Sequence, residues 1–98
     1  MNTRIGTTAG SLKVNPSAYT ANCHGQEVVL SATEIEILIT LIANSSKVSS
    51  RKELADAVGR QERTVDVVIS SLRQKIGPGF VRNVRGRGWI LDKQLLGK

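Results

Sequence analysis

Aromatic side chains are scarce in this chain, with Tyr19, Phe80 and Trp89 as the full set. A hydrophobic core must therefore rest on Ile, Leu and Val. The only cysteine, Cys23, has no partner for an internal disulfide, and with one histidine, His24, no Cys/His spacing suits a zinc site. Adjacent residues of a strand point to opposite faces, so Cys23 and His24 make no nucleophile–base pair. The acids are scattered and no phosphate loop is present, so neither catalysis nor a cofactor is expected. The short run Arg85 to Gly88 is too brief for a nucleotide-binding fingerprint and opens no helix. Long apolar runs are missing as well: residues 1–12 have no signal-peptide core, and Glu36 and Thr40 interrupt the most apolar stretch, Ile35 to Ala43. A membrane partner is not expected, and a reducing cytoplasm fits the cysteine usage.

What is present is an ordinary globular composition, 40% hydrophobic and 22% charged over 98 residues, enough for one compact domain. The net charge of +6 is unevenly placed. Residues 1–49 balance Arg4, Lys13 and Lys47 against Glu27, Glu34 and Glu36, so the whole excess lies in residues 50–98. Such a field attracts a polyanion, either nucleic acid or anionic lipid, unless it is only a solvated basic surface.

Leu12 and Val14 alternate with Lys13 and Asn15, and after Pro16 and Ser17 a second alternation joins Tyr19, Ala21 and Cys23, which reads as two short strands. His24 and Gly25 form a tight turn into a third strand over 27–30. Ser31 and Glu34 make a capping box for a helix running to about Asn44, with Ile35, Leu38, Ile39 and Ile42 at helical spacing and Ile37 and Leu41 widening the stripe. Ser50 and Glu53 form a second box for a short helix ending at Gly59, with Leu54, Ala55 and Val58 inward. A third helix begins near Arg63, carries Val65, Val68, Ile69, Leu72 and Ile76 on one face, and stops at Gly77 and Pro78. Two helices joined by a brief turn make a helix-turn-helix candidate. Phe80 to Val84 and Trp89 to Leu91 read as a hairpin with its tip at Arg85 to Gly88. The expected organisation is a flexible segment 1–10, a folded domain 11–92 and a tail 93–98.

With its apolar face inward, the third helix leaves Arg63, Thr64, Val67, Ser70, Ser71, Gln74 and Lys75 on or near the outside. Small hydroxyls, an amide and an exposed valine suit base edges and thymine methyls in a major groove, although an ordinary amphipathic helix also has a polar exterior. The hairpin tip is more specific. Arg85 and Arg87 flank a glycine without apolar cover, and a narrow minor groove favours an inserted guanidinium. From Arg60 to Arg87 there are seven basic residues and two acidic ones, which favours double-stranded DNA over a merely solvated turn. Arg73, Lys75 and Arg82 are then expected at phosphates, which position the protein without specifying sequence. A lipid surface fits less well, because these cations alternate with a packed hairpin instead of lining an amphipathic helix.

Four runs, VVLSATEIEILITLI, VSSRKEL, RTVDVVISSLRQKIG and VRNVRGRGWIL, in this order and spacing, resemble the C-terminal effector domain of OmpR/PhoB-type response regulators over roughly Leu12 to Leu91. The resemblance implies an α+β winged helix-turn-helix: an N-terminal antiparallel sheet, three helices and a C-terminal β-hairpin wing. It further implies a bacterial two-component transcription regulator that binds DNA, with head-to-tail pairing of monomers on direct repeats. Residues 63–76 match the recognition helix, Arg85 the wing arginine of the minor groove, and Asn83 a DNA-backbone-contacting wing position. Asp66 and Arg73 match helix-stabilising and phosphate-contacting positions. Val68 stands where the family often has His or another polar residue, and Ser71 where it often has Arg, so no base code is carried over. The family's polymerase-contacting loop is reduced here to residues 59–62, which argues against an RNA polymerase contact by that route. No phosphoacceptor receiver domain is present, so an excised effector domain or a free-standing regulator is expected. The alternative is a winged-helix module that binds protein.

Overall fold

The computed structural model describes residues 7–9, 12–23, 25–44, 47–77 and 79–91. In chain order these form β1 (Thr7–Ala9), β2 (Leu12–Asn15), β3 (Thr20–Cys23), β4 (Gln26–Val29), α1 (Ala32–Ala43), α2 (Arg51–Val58), α3 (Glu62–Ile76), β5 (Val81–Val84) and β6 (Gly88–Leu91). This is the expected α+β arrangement of an N-terminal sheet, three helices and a C-terminal hairpin.

The first four strands form an antiparallel sheet in the order β1-β2-β3-β4. The register Leu12↔Cys23 and Val14↔Ala21 puts these four residues on one face, and all four are buried. Alternation in the sequence is thus realised as one wet and one dry side. Between the paired Cys23 and Gln26, Gly25 takes φ 86°; the expected part of His24 lies outside the described residues. Tyr19, expected on a strand, instead closes the preceding turn at φ 55°, half-exposed, with its carbonyl accepting the Leu30 N–H at 2.8 Å. The segment 1–10 was expected to be flexible, yet Thr7–Ala9 pairs along β2 through Thr7↔Val14 and Ala9↔Leu12. Three residues hold no readable periodicity, and the open edge of β2 is what orders them. Residues 92–98, with the expected tail, and Pro78 lie outside the described residues.

Both capping boxes are formed. Ser31 N–H donates to Glu34 Oε1 at 2.8 Å while Ser31 Oγ accepts from Glu34 N–H at 3.1 Å, and Ser50 and Glu53 repeat the pattern at 2.8 and 3.0 Å. Helix α2 ends on Gly59 in the left-handed region at φ 69°, which a residue with a Cβ enters only with strain. Helix α1 buries Ile35, Ile37, Leu38 and Leu41. Ile39 and Ile42 are only partly buried, packing against the core's edge. The core joins these to Leu12, Val14, Leu54, Val65, Ile69, Leu72, Phe80, Val81 and Leu91, so sheet, helices and hairpin share one interior.

Strands β5 and β6 pair from Val81↔Leu91 to Val84↔Gly88. The hairpin is fastened to the segment before α2: Ser49 N–H donates to Trp89 O at 2.8 Å and Trp89 N–H to Ser49 O at 2.9 Å. Ser49 is fully buried, and Asn44 Nδ2, at the end of α1, reaches its Oγ at 3.4 Å. Gly88, at φ 145°, is obligatory there, because a Cβ would overlap the Ser49 carbonyl oxygen. This bridge aims the hairpin relative to the helices.

Candidate nucleic-acid interface

Helix α3 advances about 100° per residue. Its buried residues, Val65, Ile69, Leu72 and Ile76, occupy one side, with Val68 half-buried beside them. On the opposite side Arg63, Val67, Ser70 and Gln74 fall within an arc of about 60° and are all exposed. Val67 is 69% exposed, although water is a poor environment for an isopropyl group. Arg63 adds a cation in the first turn, where the helix dipole disfavours one. Neither placement serves the stability of the helix. Thr64 is half-buried and lies off the arc, about 60° beyond Val67 on the flank that carries Ser71 and Lys75.

Two residues placed with the outward set depart from it. Ser71 Oγ donates to Glu34 Oε2 at 2.6 Å, and Lys75 Nζ donates to Glu34 Oε1 at 2.9 Å. Both lie on the flank of α3 that faces α1; Ser71 is half-buried with its hydroxyl given to Glu34, while Lys75 keeps partial exposure. The sequence pattern could not show this, because Glu34 was already accounted for by its capping box. Burial pushes the Glu34 carboxyl up, but the hydrogen bonds from Ser71, Ser31 and Lys75 and the Lys75 charge outweigh it and hold the group below the ordinary carboxylate range.

The other flank of α3 faces α2 and the hairpin. Asp66 Oδ1 accepts from Arg51 Nε at 3.1 Å, linking α3 to α2, in keeping with a helix-stabilising Asp66. The Arg73 guanidinium lies 6.0 Å from the Trp89 ring centroid, a cation–π distance, and its Nε is buried without a hydrogen-bond partner among the described residues. Arg51, Asp66, Ser70, Arg73, Gln74, Asn83 and Trp89 line a cleft of about 610 Å³ between α3 and the hairpin. Arg51, Trp89 and Ser49 were not singled out from the sequence. Arg51 could have been, as a cation just after a capping serine, but only the fold brings it to Asp66.

At the hairpin tip Arg85, Gly86 and Arg87 are exposed, Gly86 has φ 74°, and the Arg87 N–H closes the turn on Val84 O at 2.8 Å. Asn83 Nδ2 donates to Gly88 O at 3.1 Å and braces the two strands. Arg82 is exposed on β5. Cys23 is buried, which pushes its thiol up and leaves it a packing residue. No cluster of metal-ligating side chains occurs among the described residues, and no helix there is long and apolar enough to cross a membrane.

Residues 25–91 match a family model described as the C-terminal domain of transcriptional regulatory proteins. The chain belongs to this family. The response regulator protein PmrA of Pseudomonas aeruginosa is 32% identical over 89 residues, covering 86% of this chain and 40% of that protein. The chain thus spans about two fifths of the length of the curated relatives it matches. Two structures of family domains solved on DNA superpose closely. The DNA-binding domain of the response regulator AdeR, in complex with an intercistronic region, shares 29% identity at a TM-score of 0.76, covering 88% of this chain and 98% of that one. The Klebsiella pneumoniae RstA DNA-binding domain, in complex with the RstA box, shares 26% identity at a TM-score of 0.76, covering 89% and 96%. The OmpR/PhoB-type winged helix-turn-helix expected from the four sequence runs is the fold observed.

Proposed function

We propose that this domain regulates transcription by reading double-stranded DNA in a sequence-specific way, with α3 in the major groove and the β5–β6 tip in the adjacent minor groove. The observation that carries the reading is the cleft that joins the exposed arc of α3 to the hairpin. Arg63, Val67, Ser70 and Gln74 meet base edges. Arg73, Lys75, Arg82 and Asn83 hold phosphates, and Arg85 and Arg87 enter the minor groove. Ser71 is left out of the base contacts because Glu34 holds its hydroxyl. The domain acts by binding and not by catalysis, in the cytoplasm, within the folded unit that ends near residue 92. Monomers pair head to tail on direct repeats about one helical turn apart, since each presents the same face to the groove. No polymerase contact is assigned to residues 59–61, which only connect α2 to α3.

The test is selection of bound sequences from random duplex DNA, followed by anisotropy titration of the enriched site over a range of salt. An enriched motif is expected, with log affinity falling by about 0.9 per neutralised phosphate for each log unit of salt. Absence of a motif together with a flat salt response would overturn the reading in favour of a protein-binding winged helix. Inserting about half a turn of DNA between repeats should abolish joint occupancy.

A further inference from the structure

We infer that Glu34 is a positioning residue for DNA reading, fixing the roll of α3 about its own axis so that Val67, Ser70 and Gln74 form the reading arc; this rests on the DNA-reading function proposed above. The reading arc is narrow. Residues 63, 67, 70 and 74 occupy about 60° of the helix circumference, so a roll of a few tens of degrees carries Val67 off the arc and brings a flank residue onto it. Apolar packing alone sets such a roll loosely, because hydrophobic contact is non-directional. Hydrogen bonds are directional, and those that leave α3 for other elements sit on opposite sides of the arc.

On the side of Ser71 and Lys75, a single carboxylate does the holding. The Glu34 side chain is 5% exposed and accepts from Ser31 N–H, Lys75 Nζ and Ser71 Oγ at 2.8, 2.9 and 2.6 Å. The capping box clamps the carboxylate to the first turn of α1, so it presents a fixed acceptor to α3 and not a swinging one. On the other side, Asp66 is held by Arg51 through an exposed pair. Exposed pairs of that kind contribute little and tolerate movement. The buried carboxylate with three donors is the stiffer of the two tethers. Burying an ion pair is not in itself an efficient way to stabilise a fold, whereas it can specify one arrangement among several of similar packing. Glu34 therefore acts on DNA through α3, without touching it.

The test uses the full chain with Glu34→Gln and Ser71→Ala. The amide keeps the size of the side chain and one acceptor, but loses the charge that draws Lys75 and one of the two carboxylate oxygens; Ser71→Ala removes the shortest bond and keeps Glu34 intact should Glu34→Gln fold poorly. Backbone N–H residual dipolar couplings along α3 report its roll relative to α1 as the phase of a helical wave, with or without DNA. Base discrimination is read as the ratio of affinities for the selected site and its single-base variants, which does not depend on the folded fraction. In both variants the phase is expected to shift and discrimination at the bases facing Val67 and Gln74 to fall by about fivefold or more, while affinity for unrelated duplex holds in Ser71→Ala, which leaves the charge unchanged. An unchanged phase in both variants overturns the assignment. A shifted phase with unaltered base preferences also overturns it, since α3 is then positioned for something other than reading. If the parent protein has no base preference at all, the proposed function fails, and with it the reading role, while the dipolar couplings still decide whether Glu34 sets the roll.

Discussion

Helices α1 and α3 differ in composition and end up with opposite tasks. Helix α1 is apolar over most of its circumference: Ile35, Ile37, Leu38 and Leu41 are buried, and Ile39 and Ile42 pack at the margin. Helix α3 buries only a stripe, Val65, Ile69, Leu72 and Ile76, and leaves a valine, a serine, a glutamine and an arginine in solvent. A wide apolar arc commits most of a helix's surface to the core. A narrow one leaves a face to spare, and the +6 charge of the chain lies in the half that contains that face. The division of labour between the balanced N-terminal half and the basic C-terminal half is thus a difference in how much of each helix the core claims.

Substitutions can break this contrast from either side. The largest effect is expected in α1, where Leu38→Ala empties a fully buried site and should cost about 2–5 kcal/mol of stability, read by chemical denaturation. The protein that remains folded should bind the selected site as the parent does; a selective loss of base discrimination would show that α1 takes part in reading. At the hairpin, Arg85→Ala should lower affinity by something on the order of 1–3 kcal/mol and weaken any preference for A·T pairs beside the main site, with circular dichroism unchanged. Parental affinity in a folded Arg85→Ala protein would reduce the tip to a structural turn. Gly88→Ala should act on both sides of the contrast, since the Cβ would overlap Ser49 O: strain on the order of 1–3 kcal/mol and a misaimed wing, seen as lower stability and weaker binding together.

Glu34 should appear in the pH dependence. Its folded carboxyl lies below the ordinary range, so its contribution to stability is fully present above that range and is lost as pH falls through the lowered value. Glu34→Gln should therefore flatten the acid limb of the stability profile, measured by denaturation at stepped pH; an unchanged limb would mean that other carboxylates carry the acid dependence. The smallest effect on stability is expected for Val67→Ala, within about 0.5 kcal/mol because the side chain is exposed, whereas preference among bases at one position should shift. Unaltered preferences would place the reading face elsewhere on α3.

Much of this architecture was legible from local signals. Ser31 with Glu34 and Ser50 with Glu53 mark two helix starts to within a residue, because a capping box is completed by residues three apart and needs nothing from the rest of the chain. The stripe Val65, Ile69, Leu72 and Ile76 identifies the inner face of α3, and Gly86 between two arginines identifies the hairpin tip. The family match over residues 25–91 agrees with those signals. What the local signals misplaced were Ser71 and Lys75, whose spacing along α3 leaves them on the border of the outer face. Their partner is 37 and 41 residues away in sequence, a separation at which no periodicity operates.

Composition, periodicity and capping thus determined which segments are helices and strands, which side of each is apolar, and where the positive charge accumulates, since these depend on neighbours within a few turns. Only the tertiary structure decided that Thr7–Ala9 has a strand to pair with, that Ser49 receives the hairpin at Trp89, that Arg73 lies against Trp89, and that a capping glutamate is also the acceptor for α3. Each of these is a directional contact between chain-distant groups, and direction at a distance is set by how the whole core packs, not by the residues on either side.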